Sequence, residues 1–129
     1  MAKKLLIVDA DMRTSAAFGR LFRRIGYTVE VADDHLQAKQ MIQNASYSCV
    51  IFNHSPFCGD ATELLIYTKK HLPNAIAVVL TDYPSLENTI GSIECGGADI
   101  AFSKPVNTEL LIKAVEGKIA EARQNLSML

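Results

Sequence analysis

Three short stretches without a polar residue constrain the fold of this chain most. Leu5–Val8, Cys49–Phe52 and Ala75–Leu80 each have the length of a strand and are apolar throughout. Strands that are apolar on both faces occur in parallel sheets covered by helices on both sides, whereas a strand with one wet face alternates apolar and polar residues. The sequence therefore predicts an α/β domain with three central parallel strands.

Two further segments complete the predicted sheet. Thr28–Val31 alternates apolar and polar residues, as an edge strand with one wet face does. Ile100–Phe102 is a short apolar run and is predicted to be the last strand. The chain thus has five candidate strands, of which one is expected at an edge of the sheet.

Helical segments separate the five strands. Asp11 can cap the first helix, and Gly26 ends it because glycine tolerates positive φ. Apolar residues recur in this helix at i, i+3, i+4 and i+7, namely Phe18, Leu21, Phe22 and Ile25. The other helices are predicted from Asp33 or Asp34 to near Asn44, from about Ala61 to Leu72–Asn74, from Pro84–Ser85 to Gly96–Gly97, and from Asn107 to about Asn125.

This alternation predicts a single domain over residues 1–129, built on a five-stranded parallel, doubly wound sheet. Right-handed crossovers leave few topologies, and we expect the strand order 2-1-3-4-5 of the flavodoxin-like fold. The switch point then lies between the first and third strands, where open α/β sheets form their sites. Asp9 and Asn53 end those two strands, so they should be neighbours.

Composition narrows the classes of function. The chain balances 13 Lys and Arg against 14 Asp and Glu, and no basic stripe marks a nucleic-acid face, so we expect no direct nucleic-acid binding. The apolar run near Met1 is too short for a signal peptide or a membrane span. Cys49, Cys58 and Cys95 lack the spacing of a disulfide framework. We therefore expect a soluble, cytoplasmic protein without a membrane segment.

Chemically active side chains cluster at the predicted C-terminal edge of the sheet. Asp9–Asp11 follows the first strand, Asn53 ends the third, Thr81 follows the fourth and Lys104–Pro105 follows the fifth. Carboxylates bind Mg²⁺, while a hydroxyl and an ammonium group can hold phosphoryl oxygens. Acids, a hydroxyl and a lysine in one crevice are typical of metal-assisted phosphoryl transfer.

Several motifs lie in the register of one known family. They are Leu5–Asp9, Leu80–Thr81, Gly97–Asp99 continuing to Lys104–Pro105, and Pro56, Asp60, Glu63 and Leu64 at set distances from Asn53. On these residues the chain resembles the response-regulator receiver domain of two-component signalling over nearly its full length. The resemblance implies the receiver fold.

In that family, an aspartate at the end of the third strand takes a phosphoryl group from a histidine kinase. Mg²⁺ is held by that aspartate and by an acidic pair after the first strand. The resemblance assigns the first acid to Asp9, the phosphate-binding hydroxyl to Thr81 and the phosphate-binding lysine to Lys104, followed by Pro105. These positions are retained.

Three other positions depart from the family pattern. Ala10 replaces the second acid, Asn53 the phosphoacceptor, and Ala101 the aromatic residue that switches with phosphate; Asp11 is one place late, and we interpret it as a helix cap. A carboxamide is neither a base nor a phosphate acceptor. A single certain carboxylate, Asp9, is a poor site for a hard cation. We predict weak or absent Mg²⁺ binding, no catalytic residue and no resident metal or cofactor.

The departures together predict a non-enzymatic receiver that serves as a phosphorylation-independent protein-interaction module. Its expected partners are histidine kinases, output domains or other regulators of a phosphorelay. The resemblance also implies a dimer or partner face formed by the helix before the fifth strand, the fifth strand and the last helix. The last helix is predicted over residues 107–125, and the apolar residues Leu126, Met128 and Leu129 beyond it are either a frayed tail or part of a connector to an output domain or of a docking surface.

Alternatives remain at this stage. An unconventional residue such as Asp60, His54 or Ser55 could still accept phosphate, although Asp60 is also a candidate helix cap. Thr81 and Lys104 either bind an anion or have become structural. His54 and Cys58 could form a metal pair, but two ligands are too few for a defined site. A flavin- or nucleotide-binding protein of the same topology would need Gly, Ser and Thr in a phosphate loop after the first strand, whereas Asp9 and Asp11 repel anions there.

Overall fold

The structure, a computed structural model, describes residues 3–9, 12–54, 61–81, 98–103 and 106–127. Strands and helices alternate along these ranges. In chain order they are β1 (Lys3–Val8), α1 (Met12–Arg24), β2 (Tyr27–Ala32), α2 (His35–Asn44), β3 (Cys49–His54), α3 (Ala61–His71), β4 (Ile76–Thr81), β5 (Ile100–Ser103) and α4 (Thr108–Ser127). The helix predicted from Pro84–Ser85 to Gly96–Gly97 lies outside the described residues.

The five strands form one parallel sheet in the order β2-β1-β3-β4-β5. This order confirms the predicted flavodoxin-like, doubly wound α/β fold. Its switch point lies between β1 and β3, because the strand order reverses there. The edge position of β2 is also confirmed, and its alternation is visible as buried Tyr27 and Val29 flanking exposed Thr28.

Alternate residues of the central strands enter two separate cores, one on each face of the sheet. Leu6, Val50 and Val79 pack under α2 and α3. Leu5, Ile51 and Val78 pack under α1 and α4. All six side chains are almost inaccessible to solvent, which explains why the central strands carry no polar residue.

The predicted helix ends agree with the structure in most places. Asp34, rather than Asp33, caps α2, because its Oδ1 accepts a hydrogen bond of 2.7 Å from the amide of Gln37. Gly26 follows α1 with a φ of +102°, as a C-terminal glycine should. Asn107 Oδ1 accepts from the amide of Leu110 at 3.2 Å and caps α4.

The place predicted for Ile25 on the apolar face of the first helix is wrong. The helix ends at Arg24, and the amide of Ile25 donates to the carbonyl of Phe22 in a tight turn. The side chain of Ile25 is consequently 42% exposed, whereas Phe22 is buried in the core. The apolar periodicity of the sequence therefore extends one residue beyond the end of the helix.

Candidate functional site

The candidate site begins at the adjacent C-terminal ends of β1 and β3. Val8 pairs with Phe52, so Asp9 and Asn53 are the next residues on neighbouring strands. This register brings the two residues together, as the sequence predicted. Asp9 is buried, and its amide donates to the carbonyl of Ala32 at 3.0 Å, which fixes the end of β1 against β2.

The ends of β4 and β5 continue the same edge. Asn53 pairs with Leu80, and His54 pairs with Thr81, the last residue of β4. Thr81 in turn pairs with Ser103 at the end of β5. The strands therefore bring Asp9, Asn53 and Thr81 to one edge of the sheet.

The second residue of β5 is Ala101, which pairs with Val79 and is half-buried. Its methyl group lies two residues before the end of the strand, so the position is inside the sheet and near the candidate edge. Other site residues considered from the sequence lie outside the described residues, namely Ala10, Asp11, Ser55, Pro56, Cys58, Asp60, Lys104 and Pro105.

A groove between α2 and α3 lies beside this edge and was not foreseen from the sequence. Both helices follow strands whose C-terminal ends form the edge, so their first turns lie near it. His35, Leu36, Lys39, Glu63 and Leu64 line a space of about 210 Å³. Lys39 Nζ lies 3.7 Å from Glu63 Oε1 across the groove. No local pattern could reveal a contact between side chains so far apart in sequence.

The described residues offer little for a metal ion. They contain no group of three or more His, Cys, Asp or Glu side chains that could hold one. Among the described residues, Asp9 supplies the carboxylate at the candidate edge. No helix in the described ranges is both long enough and apolar enough to cross a membrane.

An open parallel sheet of this order, with a buried aspartate at its switch point, defines the class of flavodoxin-like α/β proteins. Comparison with solved structures narrows the class. A response regulator receiver domain protein (CheY-like) from Methanospirillum hungatei JF-1 superimposes with a TM-score of 0.84. It is 30% identical to this chain, and the match covers 97% of this chain and 99% of that one. The chain therefore belongs to the response-regulator receiver-domain family.

Two curated proteins match in sequence. The transcriptional regulatory protein ZraR of Klebsiella oxytoca is 24% identical over 119 residues, and a cyclic di-GMP phosphodiesterase of Thermotoga maritima is 30% identical over 107 residues. These matches cover 92% and 83% of this chain, but the chain spans only 27% and 28% of the length of the two relatives. No protein-family model matches the chain.

Proposed function

We propose that the chain is a receiver domain without a working phosphoacceptor, which acts as a phosphorylation-independent protein-interaction module in a cytoplasmic two-component or phosphorelay pathway. The observation that carries the proposal is Asn53, which follows Phe52 in β3 beside the buried Asp9 that follows Val8 in β1. At this meeting point of the two strands, the family resemblance calls for an aspartate that forms an acyl phosphate. The amide of Asn53 has no anionic oxygen with which to attack phosphorus.

The same substitution weakens the expected metal site. In a working receiver, several carboxylates tolerate each other because Mg²⁺ offsets their repulsion and bridges to the phosphoryl oxygens. Ala10 and Asn53 leave Asp9 as the certain carboxylate of that set. Mg²⁺ retains its water shell unless several hard ligands replace it, so we infer weak or absent Mg²⁺ binding. No reaction step is assigned to the chain, and it is proposed not to be an enzyme.

The third departure concerns readout of the phosphate. Ala101 lies in β5 and is half-buried, where the resemblance calls for an aromatic side chain that moves between solvent and the domain. An alanine side chain has no rotamers to switch between. Acceptor, metal ligand and readout are thus altered together, which favours a constitutive binding function over a weakened switch.

The expected partners follow from the family rather than from any one contact. We infer a histidine kinase, an output domain or another regulator, and no direct binding of nucleic acid. Because the two curated relatives are several times longer than this chain, an attached output domain belongs to the proposal. A second copy docking through the region of β5 and α4 is the other association that the family implies.

Incubation of the chain with acetyl phosphate and Mg²⁺, followed by intact-mass measurement, tests the proposal. We expect no gain of mass for the natural sequence. The matched control is the double variant Ala10→Asp/Asn53→Asp, which restores both missing carboxylates while retaining Asp9, Thr81 and Lys104. We expect this variant to gain one phosphoryl group.

A phosphoryl group on the natural sequence would overturn the proposal and support the alternative, a receiver phosphorylated on an unconventional residue. Separate variants His54→Ala, Ser55→Ala and Asp60→Ala would then identify the acceptor, because only one of them should abolish the gain of mass. Failure of the double variant to accept phosphate would instead show that the retained residues no longer form the family's site.

A further inference from the structure

The strand β2 forms the longer of the two edges of the sheet. It has six residues, whereas β5 at the opposite edge has four. An edge strand presents backbone N–H and C=O groups that pair with a strand of another molecule unless the edge is short, charged, interrupted by proline or covered. The sequence of β2 contains no proline, lysine or arginine. The length and composition of β2 therefore leave this edge open to pairing.

The hydrogen bonds of β2 show which of its backbone groups point away from the sheet. In a parallel ladder, successive residues of an edge strand turn their backbone groups alternately towards the neighbouring strand and away from it. The amide of Asp9 donates to the carbonyl of Ala32, so Ala32 faces β1 and Val31 faces outward. The same alternation directs Val29 outward. We call the N–H and C=O groups of Val29 and Val31 the outer edge of β2.

The side chain of Arg23 covers the centre of this outer edge. Its Nη2 donates to the carbonyl oxygen of Val29 at 3.1 Å. Arg23 Nη1 and Val29 Cγ1 lie 3.5 and 3.6 Å from the point that a β-carbon on Gly19 would occupy. The arginine side chain therefore turns back along α1, over Gly19, and places its guanidinium group beside Val29. Within the described ranges, the outer edge of β2 makes no other hydrogen bond.

The usual structural roles of arginine account for only part of this contact. Arg23 lies in the last turn of α1, where the helix dipole favours a cation, but Arg24 lies in the same turn and satisfies that preference equally well. Arg23 and Val29 are only six residues apart, on either side of the turn at Gly26. Their hydrogen bond therefore joins two segments that the turn already holds together.

A second copy of this chain fits the outer edge of β2. If two β2 strands pair antiparallel about a two-fold axis at Val29, the two Val29 residues exchange both of their N–H···O=C bonds. Thr28 of each copy then lies opposite Glu30 of the other. An axis at Glu30 would instead bring two Glu30 carboxylates face to face, which is unfavourable for directly opposed side chains. Charge therefore favours the pairing that is centred on Val29.

We propose that the outer edge of β2 is a self-pairing surface and that Arg23 keeps it closed. Arg23 occupies the carbonyl of Val29, which is the acceptor at the centre of the pair. The two-fold axis would also bring the Arg23 guanidinium groups of both copies close together, where like charges repel each other. Both effects occur once in each copy and so oppose the pairing twice. The inference goes beyond the proposed function, because neither contact involves the candidate site.

Sedimentation equilibrium of the full chain, from micromolar to millimolar concentration, tests the proposal. We expect the natural chain to show no pairing through β2, and Arg23→Ala to lower the dimer dissociation constant by about tenfold or more. The matched control Arg24→Ala removes the same charge from the next residue and should change that constant less than about twofold. Arg23→Met retains the length of the side chain without its donor or charge, and it should pair like Arg23→Ala if the alanine variant unfolds.

Substitutions of the exposed Thr28 test the register of the pair. In the Arg23→Ala chain, Thr28→Lys places an ammonium group opposite Glu30 of the second copy and should tighten pairing by about threefold or more. Thr28→Glu should weaken it by a similar factor. Hydrogen exchange gives an independent measurement: protection of the Val29 amide should increase with the concentration of Arg23→Ala, but not with that of the natural chain.

Several results would overturn the inference. They are an unchanged dissociation constant in Arg23→Ala and Arg23→Met, an equal effect of Arg24→Ala, the same response to both Thr28 variants, or concentration-dependent protection in β5 and α4 instead of at Val29. Concentration-dependent protection of Val29 in the natural chain would also contradict a closed edge. None of these results bears on phosphorylation by acetyl phosphate, so the proposed function stands or fails separately.

Discussion

Lys3 and Lys4 are adjacent residues that form matching clusters on opposite faces of β1. Lys3 Nζ lies 3.4 Å from Glu116 Oε2 and over the ring of Tyr27, whose hydroxyl donates to Glu116 Oε1 at 3.0 Å. On the other face, Lys4 pairs in the same way with a glutamate and a tyrosine, Glu30 and Tyr47. Each cluster joins a cation, a carboxylate and an aromatic ring, so it ties distant segments to the first strand.

The hydroxyl of Tyr47 is the buried member of the second cluster and leads to a pH-dependent prediction. It donates to Glu30 Oε1 at 2.5 Å. Burial, and then the hydrogen bond to Glu30 and its negative charge, raise the pKa of Tyr47 above its ordinary value. The folded state therefore keeps the phenolic proton at a pH where the unfolded chain loses it. This contribution to stability is complete below about pH 10 and decreases above it.

We expect Tyr47→Phe to lower the free energy of unfolding by about 1 kcal/mol at pH 7. Above about pH 10 the difference from the natural sequence should shrink by up to about 1.4 kcal/mol per pH unit, because only the natural chain must retain that proton to fold. Urea denaturation at several pH values measures both effects. In a double-mutant cycle with Glu30→Gln, strictly additive losses would contradict a direct contact.

At the scale of secondary-structure elements, two glycines predict opposite effects of the same substitution. Gly26 follows α1 with a φ of +102°, and a β-carbon added there would meet no atom within 4 Å, so its role is purely conformational. Gly117 lies within α4, is exposed, and also has open space around it. Backbone conformation alone distinguishes the two sites.

Gly26→Ala should destabilise the domain by about 1 kcal/mol, since a β-carbon disfavours the left-handed region. Gly117→Ala should stabilise it by about 0.5–1 kcal/mol, because alanine restricts the unfolded chain and favours the helix. Each variant serves as the control for the other in thermal or urea unfolding. Loss of stability at position 117 would indicate that its exposed surface has a role that the described contacts do not include.

A contact between α3 and the starts of β4 and β5 explains one motif of the family resemblance. Asp99 Oδ2 accepts from Lys69 Nζ at 2.5 Å and from the amide of Ala77 at 2.8 Å. Lys69 also donates to the carbonyl of Ala75 at 2.9 Å. The Gly97–Asp99 motif thus places a carboxylate that joins three elements at the N-terminal edge of the sheet, away from the candidate site.

We expect Asp99→Ala to lower the free energy of unfolding by about 2 kcal/mol, since it leaves the Ala77 amide without its acceptor and Lys69 without its carboxylate partner. Asp99→Asn keeps one acceptor oxygen and should cost about half as much. The matched control is Glu121→Ala, which breaks the exposed pair with Lys118 and should cost less than about 0.5 kcal/mol. Equal losses of stability for the two alanine variants in urea denaturation would show that the contacts of Asp99 with Lys69 and Ala77 do not stabilise the fold.

The elements that could be predicted from the sequence are those that depend on local patterns. Cys49–Phe52 was recognisable as a central strand because burial on both faces excludes polar residues, and Asp34 and Gly26 carry local end signals. The start of β1 at Lys3 was missed. The side chain of Lys3 is held by Glu116, which lies 113 residues away in the sequence, so no local pattern indicates this contact.

At the scale of the whole molecule, the sheet separates stability from the chemistry of the candidate site. The two cores lie on the two faces of the sheet, the junctions of Lys3, Lys4 and Lys69 lie towards its N-terminal edge, and the described contacts of these clusters do not involve Asp9. We therefore infer that the fold can persist with Ala10 and Asn53 in place of the acids that the family resemblance calls for. Removing two neighbouring negative charges also relieves a repulsion that a working receiver would need Mg²⁺ to offset.

This separation predicts how the stability of the whole domain depends on Mg²⁺. A ligand that binds only the folded state raises the free energy of unfolding by RT ln(1 + [L]/Kd), about 2.7 kcal/mol at a hundredfold excess over Kd. We expect the natural chain to unfold at the same temperature with and without low-millimolar Mg²⁺.

Ala10→Asp/Asn53→Asp should be less stable than the natural chain without the ion, because three carboxylates then crowd one edge of the sheet, and Mg²⁺ should reverse that loss. Ca²⁺-free thermal scans with and without Mg²⁺ measure both effects at once. Stabilisation of the natural chain by low-millimolar Mg²⁺, with saturation, would show that Asp9 and its neighbours still form a metal site, and it would count against a disabled switch.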